Sequence, residues 1–139
     1  MKEPVRVLRE VVHALHERLV SEFGGAAGVR EDGMLESALS RPANQFSSGS
    51  PSLPELAAAY AFGLVRNHPF VDGNKRIGFA TAVLFLELNG YRFAASEIDA
   101  TVQTLPLAAH DLDEGGYAAW LASNSTPVKA RPKSRKRLG

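Results

Sequence analysis

Nine consecutive residues, His68-Pro-Phe-Val-Asp-Gly-Asn-Lys-Arg76, bring together the residue types that phosphate chemistry needs. If a helix begins at the end of this run, its first backbone N–H groups are unpaired and its dipole presents a positive end, so the place favours an anion. Gly73 has no side chain to block a phosphate, Asn74 has an amide that can donate, and Lys75 and Arg76 add fixed positive charge. Asp72 stands at the edge of this cradle, where a carboxylate can hold Mg²⁺ bridging phosphate oxygens. His68 lies just before it and is suited to act as a general base near neutral pH. Base, metal ligand and anion hole are the parts that phosphoryl or nucleotidyl transfer requires. Each residue alone has a plainer reading: a capping histidine, an Asp-Gly-Asn turn, a solvated Lys-Arg pair. Two cations at a helix start are electrostatically unfavourable unless an anion sits there. That oddity, with the order of the residues, favours the chemical reading.

The elements around this run must place it. His68-Pro69 ends one helix, because proline disfavours the α conformation in the residue before it. That helix opens at Ser52-Leu-Pro-Glu55, which has capping-box spacing, and runs through Ala57–Ala59, Tyr60, Phe62, Leu64 and Val65. The next helix starts near Gly73 or Asn74 and runs to Asn89, with Gly90 as its stop. From Ile77 to Leu88 it is apolar almost all round, which predicts the central helix of a bundle. Upstream, Val5, Leu8, Val12, Leu15 and Leu19 recur at helical spacing until Gly24-Gly25. Asp32 caps a short helix carrying Leu35 and Leu39, which Pro42 stops. Asn44–Pro54 reads as a Ser/Gly/Pro loop of functional length. Ser96 and Asp113 are predicted N-caps of two further helices, and Tyr91-Arg-Phe93 a short extended piece. Trp120, Tyr117 and Leu121 read as core. No alternating strands build a sheet, so the expected class is all-α: a compact helical bundle.

The chain of 139 residues suits one domain with a modest core, and its apolar fraction of 45% is ordinary for a soluble protein. It has no cysteine, which excludes a disulfide framework and a thiolate zinc site. Charged residues interrupt the opening stretch and no apolar run is long enough to span a bilayer, so the expectation is a cytoplasmic protein without membrane contact. The net charge of +1 hides an asymmetry: six positive charges fall in Lys129–Arg137, and without them residues 1–128 carry about −5. Such a body is no obvious nucleic-acid binder. Any RNA contact is expected only through the tail, which lacks aromatic residues for base stacking. The expected organisation is a domain over 1–123 and a basic, disordered tail over 124–139.

The run HPFVDGNKR resembles the signature of the Fic/Doc family, in which His, Phe, an acidic residue, Asn and Arg hold these relative places. Ala14-Leu-His-Glu17, Phe23-Gly-Gly25, the Gly33–Leu39 helix and Leu84-Phe-Leu-Glu-Leu-Asn-Gly90 resemble the death-on-curing (Doc) branch. The resemblance spans roughly residues 5 to 123. It implies that His68 deprotonates a hydroxyl of a target protein, that Phe70 anchors the loop and that Asp72 binds Mg²⁺. It also implies that Gly73, Asn74 and Lys75 form the anion hole and that Arg76 contacts nucleotide phosphate. By the same resemblance, the 44–54 loop is a flap that aligns a target segment. Relatives that transfer AMP usually carry glycine where Lys75 stands, and an arginine where Phe79 stands. The Doc branch shares both departures, which implies a toxin that moves the terminal phosphate of ATP to a Ser/Thr hydroxyl of elongation factor Tu. An antitoxin protein acting in trans is implied as inhibitor, since the self-inhibitory motif is absent. AMP transfer and a non-catalytic binding module are the alternatives. His16 is expected to be structural, His13 and His110 have no motif around them, and Arg66 faces either the phosphate site or solvent.

Overall fold

The structure, a computed structural model, describes residues 3–109 and 113–128. His110 and the basic run Lys129–Arg137 lie outside the described residues. The described chain forms α1 (Arg9–Phe23), α2 (Asp32–Ser48), α3 (Leu53–Asn67), α4 (Asn74–Leu88), β1 (Tyr91–Phe93), α5 (Glu97–Ala108), α6 (Glu114–Ser123) and β2 (Ser125–Pro127). The all-α class is therefore correct, with one short two-stranded ladder added.

Helix α3 is the hub, packing against α2, α4, α5 and α6. Ser52 and Glu55 close the expected capping box at its start, and Leu56 to Ala61, Leu64 and Val65 are buried. Helix α4 is buried along Ile77, Gly78, Thr81, Ala82, Phe85 and Leu86, less completely than α3. Its apolar circumference is explained by α3 on one side and by α1, β1 and α5 on others. The two helices approach closely at Gly78, where a Cβ would come within 2.7 Å of Val65 Cγ2 and 3.2 Å of the Ala61 carbonyl oxygen.

Two expectations about the middle of the chain are corrected. Pro42 does not stop α2, which continues to Ser48. Leu35, Ala38 and Pro42 form one buried stripe, and Arg41 and Gln45 on the next turn both bond Glu114 of α6. These contacts offset the backbone bond that proline cannot donate, a loss of about 3 kcal/mol in an unsupported helix. The supposed 44–54 loop thus shrinks to Gly49–Ser52. The second correction concerns β2. It pairs antiparallel with β1, Arg92 opposite Thr126, and Val128 N–H donates to the Gly90 carbonyl at 2.7 Å. The folded body thus runs past the boundary expected at residue 123. Among the described residues no helix is long and apolar enough to cross a membrane.

Candidate active site

The turn between α3 and α4 carries the signature residues, and its backbone is held from several directions. His68 is the C-cap of α3 and takes the left-handed conformation, φ 51° and ψ 53°. For a residue with a Cβ that conformation costs roughly 1–2 kcal/mol. The segment after α1 runs alongside it. Arg30 and Glu31 N–H groups donate to the Pro69 carbonyl at 2.7 and 3.1 Å, Val71 N–H donates to the Gly28 carbonyl at 3.0 Å, and Val29 bridges Phe70. The Arg30 guanidinium donates from Nε and Nη2 to the His68 carbonyl at 2.9 and 2.7 Å, and from Nη2 to that of Asn67 at 3.3 Å.

Inside the turn Phe70 is buried against the His16 ring, with centroids 3.8 Å apart and planes nearly parallel. His16, itself only 2% exposed, meets the Asp72 carbonyl through Nε2 at 2.8 Å. A carbonyl can only accept, so Nε2 carries the proton of a neutral His16 ring. The Asn74 side chain closes the turn on itself. Its Oδ1 accepts from Phe70 N–H at 3.0 Å and its Nδ2 donates to the Phe70 carbonyl at 3.0 Å. These two bonds fix which way the amide points, so the contact from Nδ2 to His68 Nδ1 at 3.2 Å is a donation to the ring. In this arrangement a neutral His68 carries its proton on Nε2.

Asp72 turns back on the loop. Its Oδ1 accepts from Gly73 N–H at 2.9 Å and its Oδ2 lies 3.4 Å from Ala26 N. Gly25 makes room for this carboxylate, because a Cβ there would stand 2.8 Å from Oδ2. Gly73 is the N-cap of α4 with φ 75°, a left-handed value that glycine takes without strain. The Ile77 N–H donates to the Gly73 carbonyl at 2.9 Å. The N–H groups of Asn74, Lys75 and Arg76 precede that first helical bond and stand at the positive end of the dipole.

His68, Asp72, Gly73, Asn74, Lys75 and Arg76 all line one cleft of about 420 Å³. Every site residue expected from the sequence is thus brought together. Lys75 and Arg76 are exposed, and neither makes an ion pair among the described residues. The Arg76 guanidinium rests 4.6 Å from the ring centroid of Phe23. Asn74 differs from expectation in one respect: its side chain is 5% exposed and committed to the turn, so the backbone N–H is what it offers an anion.

The opposite wall was not legible in advance. Ala100, Thr101, Thr104 and Leu105 of α5 line the cleft, with Phe79 of α4 beneath them. Phe79 packs on Phe93 and Trp120, at 5.7 and 6.1 Å between centroids. Thr104 Oγ1 shares a 3.0 Å hydrogen bond with the Tyr117 hydroxyl, and burial pushes that phenol up to about 12 against the opposing pull of this bond. No residue of 44–54 lines this cleft. The backbone lying against the signature turn is Gly28–Glu31. Arg66 stacks on Phe62 at 4.6 Å and is not part of the cleft wall. Arg30 was missed altogether. It lies 38 residues upstream of His68, and an arginine beside Glu31 and Asp32 reads as an ordinary surface charge.

Comparison with known proteins finds a family and two relatives. Residues 7–86 match the sequence profile described as the Fic/DOC family. Toxin Doc of Mycolicibacterium smegmatis (strain ATCC 700084 / mc(2)155) is 40% identical over 104 residues, 72% of this chain and 80% of the relative. Protein kinase doc of Escherichia phage P1 is 35% identical over 96 residues, 67% of this chain and 76% of the relative.

Proposed function

Since the chain belongs to the Fic/DOC family, we propose that it is a toxin that transfers the terminal phosphate of ATP to a Ser or Thr hydroxyl of a translation factor. The acceptor we favour is elongation factor Tu, and the consequence is arrest of translation in the cytoplasm. The observation that carries this reading is the single cleft in which His68, Asp72 and the N-terminus of α4 with Lys75 and Arg76 converge. The printed names of the two relatives, a toxin and a protein kinase, point the same way.

The donor set fits Mg²⁺ that arrives with ATP. No group of three or more His, Cys, Asp or Glu side chains able to hold a metal occurs among the described residues. Mg²⁺ commonly binds through one or two carboxylates together with substrate phosphates and water. Asp72 offers one such carboxylate beside the phosphate cradle. When bound, the ion neutralises charge on the phosphates. The residues of the chain do the rest. The N–H groups at the start of α4, with Lys75 and Arg76, hold the phosphate oxygens. His68 takes the proton of the acceptor hydroxyl as its oxygen bonds to the γ-phosphorus, and the bond to the β-phosphate breaks to release ADP. Taking that proton at Nε2 requires the other tautomer. That tautomer is reached by proton exchange through water at the exposed ring; with Nδ1 protonated, Asn74 Nδ2 no longer donates to His68 and keeps its bond to the Phe70 carbonyl.

AMP transfer is disfavoured by Phe79. It packs in one aromatic cluster with Phe93 and Trp120, where an arginine would be needed to hold the β- and γ-phosphates. An antitoxin protein is proposed as the inhibitor in trans. The deciding experiment incubates the protein with elongation factor Tu and ATP labelled at either the α or the γ position. We expect γ-label on the acceptor, a gain of about 80 Da, and release of ADP. α-Label on the acceptor with pyrophosphate released defeats the kinase reading and promotes AMP transfer.

A further inference from the structure

His68 is the one residue other than glycine with positive φ among the described residues, and a backbone in that state needs support. Its support is identifiable. The peptide after His68 projects its carbonyl towards the segment that follows α1. Arg30 meets that carbonyl with two N–H groups and reaches the Asn67 carbonyl with one of them. Carbonyls at the end of a helix lack intrahelical partners and carry the negative end of its dipole. A forked cation therefore satisfies both needs at once, and the backbone bonds from Arg30 and Glu31 to the Pro69 carbonyl hold the next residue in line.

We propose that Arg30 is a positioning residue that locks His68 in the left-handed conformation, so that its ring stays beside Asn74 at the mouth of the cleft in either tautomer. The inference rests on the reading of His68 as the proton acceptor. Arg30 is absent from the cleft lining. It is exposed, so its net charge is screened by solvent. What it contributes is fork geometry, which a lysine copies poorly because its ammonium is a single point of charge. Loss of that fork lets the His68 backbone relax to a commoner conformation, and the ring then leaves Asn74.

The test compares the full chain with Arg30→Met and Arg30→Lys, using ATP and elongation factor Tu as substrates. A misplaced base lowers turnover more than nucleotide binding, so Arg30→Met is expected to lower kcat about 100-fold and Arg30→Lys about 10-fold, with KM for ATP within about twofold of wild type. Independently of activity, nuclear Overhauser contacts between the His68 ring and the Asn74 side-chain amide are expected in the wild type and absent in Arg30→Met. Unchanged contacts, or an unchanged kcat, overturn the proposal. So does loss of the helical circular dichroism in both variants, which makes Arg30 a residue of the fold at large. If the wild type transfers no phosphate, the functional reading falls, and the Overhauser arm still decides the role of Arg30.

Discussion

At the scale of single residues, the site separates groups that face the cleft from groups that hold the turn. His68 and Asp72 are exposed at the cleft, whereas Phe70 and Asn74 are buried in the turn. His68→Ala removes the proposed base and, of the bonds that hold the turn, only the part-buried contact from Asn74. Expression of the wild type alone is expected to arrest bacterial growth, and His68→Ala to relieve the arrest while keeping the thermal midpoint. Equal toxicity of the two forms would sink the assignment. His16 gives the opposite pattern. His16→Leu keeps an apolar surface for Phe70 but leaves the part-buried bond to the Asp72 carbonyl unmade, a cost of about 1 kcal/mol. It is expected to lower stability and activity together, measured by urea unfolding and γ-phosphate transfer. Full stability in that variant would remove His16 from the support of the turn.

At the scale of elements, the α3–α4 pair fixes where the cleft can form, because α3 ends in His68 and α4 begins beside Gly73. Their closeness at Gly78 allows little tolerance. Gly78→Ala sets a methyl against Val65 Cγ2 and the Ala61 carbonyl, and the backbone carbonyl cannot swing away. Alanine favours a helix interior by about 1 kcal/mol over glycine, but overpacking costs typically 1–3 kcal/mol. Net destabilisation is expected, with a shift of the urea midpoint to lower concentration. An unchanged or higher midpoint would mean that α3 and α4 separate more easily than their geometry suggests. The same pair explains why Phe79 is a poor site for redesign. Phe79→Arg breaks the contacts with Phe93 and Trp120. Such a variant, alone or with Lys75→Gly, is expected to lose stability before it gains AMP transfer.

At the scale of the whole molecule, the cleft is closed by parts far apart in sequence, and pH offers a handle on that closure. Tyr117 of α6 bonds Thr104 of α5, and burial lifts its pKa from 10.0 to about 12. In the unfolded chain the same phenol ionises near 10. Between these values the unfolded state binds fewer protons, so stability falls as pH rises. The contribution is fully present below pH 10 and is lost as pH passes through 12. A shift of two units corresponds to about 3 kcal/mol. Urea unfolding between pH 8 and pH 11.5 is expected to show this decline, and Tyr117→Phe to flatten it. Tyr60 is raised by burial as well, so part of the slope is expected to survive. Identical slopes in wild type and Tyr117→Phe would contradict the assignment.

Much of this protein is decided locally. The boundaries of α3 and α4 follow from the Ser52–Glu55 capping box, the proline after His68 and the permissive Gly73, all of which act within a few residues. The caps at Ser96 and Asp113 are equally local. The functional run was legible because its chemistry is contiguous and its helix start is a physical anion site. Where tertiary contacts outweighed local preference, the sequence misled. Pro42 stays in α2 because burial and the bonds to Glu114 outweigh a missing backbone donor. The strand Ser125–Pro127 exists only because β1 is there to pair with it. The α5 wall, the stacking of His16 on Phe70 and the Arg30 fork join residues dozens of positions apart. No spacing rule encodes such contacts. They follow from how α1 and α5 settle on the α3–α4 pair, and that is a property of the packed chain alone.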